Sequence, residues 1–305
     1  MSRTPSTTPP TASFDPTSVR RVGLVPALHK RRVAAAVRDV SSWFGERGVR
    51  AMLPTEQAAA LSMPDLSVEP AEMAREADFL LAMGGDGTFL AATRIAAPHG
   101  KPVLGVNLGG FGFLASLPQA GMLDALAEAM SGRLRVEQRM MLSARVLRGG
   151  EQVGSFIALN DIVVGKGAFA RLFRLRTSIS GELVSEFPAD GAIIATPTGS
   201  TGYAVAAGGP VVSPRIRAII ITPICPHALS ARTLVVPADQ VVELAVRDIR
   251  GEEVDLTADG QQGCQLEAGD RVEVREADFP ARVLCPENTS FYQKLRTKLG
   301  WVGPR

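Results

Sequence analysis

Gly84-Gly85-Asp86-Gly87-Thr88 follows the apolar run Phe79-Leu80-Leu81-Ala82-Met83 and precedes Phe89-Leu90-Ala91-Ala92-Thr93-Arg94-Ile95, which has helix character. The five residues therefore occupy a strand-to-helix turn, where backbone N–H groups converge. Glycines permit positive φ and let phosphate oxygens approach the main chain, while the N-terminus of the helix that follows favours negative charge. Such a loop can hold a polyphosphate. Asp86 is out of place in a simple anion cradle, because its carboxylate repels phosphate. Two jobs remain open for it: organising a phosphate-bound magnesium, or accepting a proton from the hydroxyl that attacks the phosphoryl group. A plain Gly/Asp tight turn is the competing reading of these letters alone.

Four other constellations bear on the same chemistry. Asn107-Leu108-Gly109-Gly110-Phe111-Gly112-Phe113-Leu114 follows the apolar run Val103-Leu104-Gly105-Val106 and puts a second glycine turn at the end of a strand. Phe113 and Leu114 could cover an adenine ring, which needs an apolar slab; a glycine turn with two core residues is the other reading. Asn160-Asp161 precedes Ile162-Val163-Val164. An amide beside a carboxylate can bind ribose hydroxyls, or the pair can cap a turn. The segment Asp190 to Tyr203, continuing to Pro210, combines glycines and hydroxyl side chains after a strand, a composition able to wrap a sugar phosphate or an amide. Asp259-Gly260-Gln261 adds a carboxylate beside a glycine, although Asp-Gly is also a strong hairpin signal. His29 and His99 have no companion ligand in the sequence, and His227, between rigid proline-bearing segments, reads as a structural hydrogen-bonding residue.

The elements that must position these residues fall into two groups. Strand at Arg21–Pro26, helix at 31–45, strand at 49–53, strand at 79–83, helix at 89–95 and strand at 103–106 alternate as in a doubly wound α/β domain, in which ligands collect at the carboxyl ends of strands. A helix at 123–130 follows. From Arg139, β-branched runs at 143–147, 155–164, 172–179, 192–195, 218–222, 241–246 and 271–274 predict a mostly β second domain. Residues 290–299 read as a helix that returns to the first domain, with Lys294, Arg296 and Lys298 suiting its C-terminal dipole. The expected division is a disordered tail over 1–18, an α/β nucleotide-binding domain over 19–138 that regains 282–305, and a β-rich domain over 139–281.

Composition narrows the partners. The 305 residues are 46% hydrophobic and 21% charged, the balance of a globular protein. Lys plus Arg total 33 against 31 Asp plus Glu, so there is no general pull toward nucleic acid or membrane and any anion site is local. Three widely spaced cysteines, Cys225, Cys264 and Cys285, give neither a zinc pattern nor a disulfide framework and read as reduced, buried or inert thiols. The first eighteen residues lack the apolar core of a signal peptide, and no run approaches the roughly 20 apolar residues of a membrane span. A cytoplasmic protein is expected.

Taken in order, the motifs at 84–88, 107–114, 160–161, 190–203, 229–237 and 259–261, with the ending Leu295-Arg296-Thr297-Lys298-Leu299-Gly300-Trp301, resemble those of bacterial NAD kinases. The first motif alone is shared with phosphofructokinases and lipid kinases; the Thr-Pro-Thr-Gly-Ser-Thr run at 196–201 is the specific one. The resemblance implies a Rossmann-like, phosphofructokinase-like first domain and transfer of a phosphoryl group from ATP or polyphosphate to the 2′-hydroxyl of the adenosine ribose of NAD. It implies Asp86 as general base and magnesium organiser, with no metal site fixed by the protein alone. Gly85, Gly87 and Thr88 would shape the phosphate loop, and Phe113 and Leu114 the adenine pocket. Asn160 and Asp161 would hold ribose hydroxyls, and Asp190, Thr201, Gly202, Tyr203 and Ala206 would surround the nicotinamide half. Asp259 would border the site, from its own chain or from a neighbouring subunit, since the family's homo-oligomers imply a homodimer or homotetramer. The chain departs from the pattern in Asp161, where many relatives have Glu, in Gly202 for Ala and Ala206 for Ser, and in lacking a basic residue just before Asp190. A lipid or sugar-phosphate kinase and a non-catalytic dinucleotide sensor are the rival readings; Asp86 speaks against the sensor.

Overall fold

The computed structural model describes residues 14–30, 32–109, 112–115, 117–132, 134–167, 173–247, 249, 253–287 and 290–300. Trp301, Gly110, Phe111, Leu172 and most of the expected tail lie outside them. Two compact units divide the chain: residues 1–85, 101–138 and 282–305 form one, and residues 86–100 and 139–281 the other.

In the first unit, β1 (Arg21–Pro26), α1 (Val33–Gly45), β2 (Arg50–Pro54), α2 (Thr55–Ala60), β3 (Ser67–Val68), α3 (Pro70–Glu76) and β4 (Phe79–Gly84) alternate along the chain. Helix α4 (Asp86–Ala96) follows β4 but groups with the second unit, and β5 (Pro102–Asn107), β6 (Leu117–Pro118), α5 (Met122–Met130) and β7 (Leu134–Arg139) complete the run. Every residue of β4 is buried, as expected of a parallel strand covered on both faces. α1 buries Val33, Ala36, Val37, Val40, Trp43 and Phe44, an apolar stripe at helical spacing. The sheet order begins β3-β2-β1-β4-β5, and these strands are parallel. Winding reverses between β1 and β4, so the crevice of a doubly wound sheet opens at the carboxyl ends of those strands, where Pro26 and Gly84 stand.

Within the tail expected through Ser18, residues 14–18 are structured. The Phe14 ring meets Phe79 edge-on at 5.7 Å, and the Asp15 side chain accepts the Thr17 N–H at 2.9 Å, capping the short helix Pro16–Ser18. An aromatic partner and a capped turn order a segment whose composition reads as disordered.

The second unit holds β8 (Leu142–Arg148), β9 (Glu151–Ala158), β10 (Asp161–Lys166), β11 (Phe173–Ile179), β12 (Glu182–Ala189), β13 (Gly191–Ala195), α6 (Tyr203–Ala206), β14 (Ala218–Ile224), β15 (Leu234–Pro237), β16 (Val242–Arg247), β17 (Val254–Ala258), β18 (Gln262–Leu266) and β19 (Arg271–Glu276). They form two six-stranded sheets, β15-β14-β13-β10-β17-β18 and β12-β11-β16-β19-β8-β9. Their pairings are antiparallel. Leu142, Ala144 and Val146 of β8 point inward and pack with Phe173, Ile194 and Leu256 in one core, the alternation of a half-buried strand. β20 (Ala281–Pro286) then pairs parallel with β5, and α7 (Phe291–Lys298) follows, so the C-terminal segment does return to the first unit.

Two expectations are corrected here. The apolar run 155–164 is not one strand: it breaks at Leu159-Asn160, and β9 and β10 belong to different sheets. Residues 86–100, placed with the first domain by the strand–helix alternation, pack with the second unit.

Candidate active site

In the first unit the strand ends that lead into the two glycine turns lie side by side. Gly84 is the register partner of Asn107, and the Leu108 N–H donates to the Gly84 carbonyl at 3.0 Å. Neither Gly85 nor Gly87 has positive φ, so these glycines do not serve a left-handed turn. A Cβ at Gly85 would meet nothing within 4 Å: the glycine leaves the backbone open, which is the property a phosphate needs. The helix also starts earlier than expected, with Asp86, Gly87 and Thr88 in its first turn. Beyond the second turn, Phe113 and Leu114 are half-buried rather than core, and the Lys294 ammonium of α7 donates to the Phe113 carbonyl at 2.7 Å.

In the second unit one buried carboxylate organises the other polar residues. Asp259 and Gly260 both have positive φ, 53° and 63°, as the tight β17–β18 hairpin requires. That turn aims Asp259 inward. Its oxygens accept the N–H groups of Asn160 at 2.8 Å, Leu159 at 3.1 Å and Asp161 at 3.3 Å, fixing the break between β9 and β10. The Arg94 guanidinium of α4 approaches Asp259 Oδ2 at 3.4 Å and donates to Gln261 Oε1 at 2.5 Å, and Gln261 Nε2 donates to the Gly87 carbonyl at 2.6 Å. Burial raises the Asp259 carboxyl above the usual range, while the three N–H groups and Arg94 pull it back.

Asp161 is also buried, and among the described residues no hydrogen bond or ion pair reaches its carboxylate. Burial first, and the neighbouring Asp259 charge second, push its pKa up to about 7. Beside it, Asn160 Oδ1 is buried with no hydrogen-bond partner among the described residues. Two adjacent acceptors thus await donors that the fold does not provide.

The segment after β13 is tied to this turn. The Thr196 N–H donates to the Asn160 carbonyl at 2.8 Å, and Thr196 Oγ1 donates to the Leu159 carbonyl at 2.6 Å and accepts the Gly199 N–H at 3.0 Å. Ser200 Oγ, also buried, donates to the Pro197 carbonyl at 2.7 Å and accepts the Val212 N–H at 3.0 Å. These hydroxyls, read as ligand-wrapping groups, instead fold the loop. Gly199 is obligatory, because a Cβ there would lie 2.1 Å from the Asn160 carbonyl oxygen. Thr201 Oγ1 donates to the Thr198 carbonyl at 3.3 Å; Gly202 lies beside the Asn160 amide, and Tyr203 and Ala206 are exposed on α6. Asp190 pairs with Lys166 at 2.9 Å, so the cation absent from 187–189 comes from the end of β10. Sequence reasoning gave Arg94, Gln261 and Lys166 no role.

Among the described residues, no group of three or more His, Cys, Asp or Glu is gathered to hold a metal. His227 is exposed, with its backbone N–H donating to the Pro188 carbonyl at 2.9 Å. None of the three cysteines is in a disulfide; only Cys285 is buried, and Cys225 is exposed.

A model of the ATP-NAD kinase N-terminal domain matches residues 48–134, and one of the ATP-NAD kinase C-terminal domain matches residues 159–285. The NAD kinase of Moorella thermoacetica is 45% identical over 287 residues, covering 94% of this chain and 91% of that protein. This chain belongs to the NAD kinase family. The NAD kinase of Desulforamulus reducens is 42% identical over 91% of this chain and 96% of its own. Among solved structures, yeast NADH kinase complexed with NADH aligns with a TM-score of 0.86 at 25% identity, covering 94% of this chain and 89% of that one. An NAD kinase from Archaeoglobus fulgidus in complex with ATP aligns with a TM-score of 0.71 at 25% identity, over 93% and 100%. The reaction of the NAD kinase family is phosphorylation of NAD to NADP.

Proposed function

We propose that this chain transfers a phosphoryl group from ATP, or from polyphosphate, to the 2′-hydroxyl of the adenosine ribose of NAD, with Asp86 as the general base. The observation that carries the assignment of the acceptor site is the pair of unpartnered buried acceptors, Asn160 Oδ1 and the Asp161 carboxylate. Ribose hydroxyls are donors of the right class for both. The hydroxyl oxygen forms the new bond to phosphorus, the bond from phosphorus to the donor's bridging oxygen breaks, and the hydroxyl proton passes to Asp86. Because phosphoryl transfer proceeds through a loose transition state, alignment and charge neutralisation matter more than early proton removal.

Gly85, Gly87 and Thr88 flank Asp86 in the phosphate turn, and open space at Gly85 supports close approach of the donor. Half-buried Phe113 and Leu114 offer the apolar slab for the adenine ring. Asp190, Thr201, Gly202, Tyr203 and Ala206 form the nicotinamide end of the reading. Magnesium keeps several waters and takes one or two carboxylates plus substrate phosphates, a donor set that Asp86 in a phosphate turn fits. When bound, the ion neutralises charge on the phosphates.

A cytoplasmic homodimer or homotetramer completes the proposal. Edge strand β12 exposes Leu183 and Val184, and edge strand β15 exposes Leu234 and Val235, apolar edges of the kind that subunit contacts cover. No helix among the described residues is long and apolar enough to cross a membrane.

The test is NADP formation by the purified protein with NAD, magnesium and either ATP or polyphosphate, beside Asp86→Asn. The variant is expected to lose roughly 100- to 10,000-fold in turnover while still binding NAD. Near-normal turnover of Asp86→Asn would remove the base assignment; NAD binding without product from either donor would favour the sensor.

A further inference from the structure

We propose that Arg94 and Gln261 are positioning residues for phosphoryl transfer, fixing the first turn of α4, which begins with Asp86, against the turn that presents Asn160 and Asp161. The inference rests on the reading of Asp86 as the base. A closed chain of contacts carries it, all within the second unit. The Gly87 carbonyl accepts from Gln261 Nε2 at 2.6 Å, and Gln261 Oε1 accepts from Arg94 at 2.5 Å. Arg94 meets Asp259 at 3.4 Å, and Asp259 holds the N–H groups of Leu159, Asn160 and Asp161.

Each link has a chemical reason. Arg94 stands about two helical turns beyond Asp86, and its side chain is only 11% exposed. A guanidinium can serve two acceptors at once with fixed geometry, one on the hairpin tip and one beneath it; a lysine ammonium is a point charge that lacks this fork. Gln261 accepts from Arg94 through its oxygen and donates to α4 through its nitrogen, so its amide orientation is defined at both ends. Gly87 admits that amide: a Cβ there would lie 3.2 Å from Gln261 Nε2. The glycine after Asp86 therefore has a use besides phosphate access. One hairpin, Asp259 to Gln261, thus grips both the segment bearing the base and the segment bearing the ribose acceptors.

Misplacing aligned groups by about 1 Å can cost roughly 100-fold in rate. Gln261→Ala breaks the link to Gly87 without leaving a buried charge, and its turnover is expected to fall about 5- to 20-fold, with KM for ATP within about threefold of wild type. Arg94→Met is expected to fall further, and Arg94→Lys to recover part of the loss. The decisive arm adds Gln261→Ala to Asp86→Asn. If Gln261 acts through Asp86, the second substitution lowers the residual rate by less than about twofold, because coupled residues are non-additive. A purely structural role would give the same factor in both backgrounds.

All variants are made in the full chain, with thermal unfolding measured in parallel. Equal factors in the two backgrounds, or Gln261→Ala turnover within about twofold of wild type, would overturn the inference even if Arg94→Met fails to fold. An inactive wild type, or an Asp86→Asn protein with full turnover, would instead overturn the underlying reading. That result is distinguishable because it appears before Gln261 is altered.

Discussion

Replacing Asp161 by asparagine should make the protein more stable at pH 8 and worse at binding NAD. The carboxyl is buried with no partner for its charge among the described residues, and its pKa is raised from the ordinary 3.8 to about 7. A folded-state pKa above the unfolded one means that the native protein binds the extra proton between those values. The stabilising contribution is therefore fully present below about pH 4 and is lost as pH rises through about 7. At about 1.4 kcal/mol per pH unit, the contribution lost across that window is about 4 kcal/mol.

An asparagine side chain is neutral and has nearly the same shape, so Asp161→Asn removes this titration alone. Urea unfolding of wild type and variant at pH 5, 6, 7 and 8 reads the difference directly. It should grow with pH, favouring the variant by about 2 to 4 kcal/mol at pH 8 once relaxation around the charge is allowed for. Meanwhile the variant loses a charged acceptor for a ribose hydroxyl, worth about 1.5 to 3 kcal/mol, so NAD affinity should fall by roughly 10- to 100-fold. A stability difference that is flat between pH 5 and 8, or that favours wild type at pH 8, would refute the reasoning.

Asp259→Ala should behave oppositely. It strips the acceptor from three backbone N–H groups and from half-buried Arg94, and should cost about 3 to 6 kcal/mol in urea unfolding. Gly199→Ala places a Cβ 2.1 Å from the Asn160 carbonyl oxygen, so it must displace the Asn160 turn; a loss of more than about 2 kcal/mol and, on the proposed function, of detectable NAD binding by calorimetry is expected. Gly202→Ala is the contrast, because its nearest contact is 3.2 Å from the Gly199 carbonyl oxygen and a small shift relieves it. Stability within about 1 kcal/mol and KM for NAD within about threefold of wild type are expected there.

The α/β alternation and the glycine turns were legible because period and turn chemistry are local. The first motif even marks the place where the strand order reverses, although its glycines serve open backbone rather than positive φ. The break at Leu159-Asn160 was not legible: the run is apolar and β-branched on both sides, and what bends it is Asp259, 100 residues beyond Leu159. Asp259 itself reads in the sequence as a hairpin residue or a site residue; the structure shows it in the β17–β18 hairpin turn, and from there it holds the 159–161 break. Arg94 carries no local signal, since one arginine on an amphipathic helix reads as a solvated charge until the hairpin is brought beneath it. The same holds for Lys166, whose partnership with Asp190 spans two strands. Strands β12 and β15 were missed because edge strands expose apolar residues on the face where alternation would place polar ones.

Asp161 and Asp259 are both buried carboxylates, yet the fold treats them differently. Asp259 receives three N–H groups and a guanidinium; Asp161 receives nothing among the described residues. A fold that needed Asp161 only for shape would do better with asparagine, and the proposed function gives the charge a use, as acceptor for a donor from outside. If ribose hydroxyls are that donor, NAD binds the ionised form preferentially, and a carboxyl half-protonated near pH 7 must release its proton on binding. Calorimetric titration of NAD in two buffers of different ionisation enthalpy should report release of about half a proton at pH 7, falling toward zero at pH 9, and none at pH 7 in Asp161→Asn. Proton uptake, or release unchanged in the variant, would place the ligand's donors elsewhere and leave the buried charge without a use.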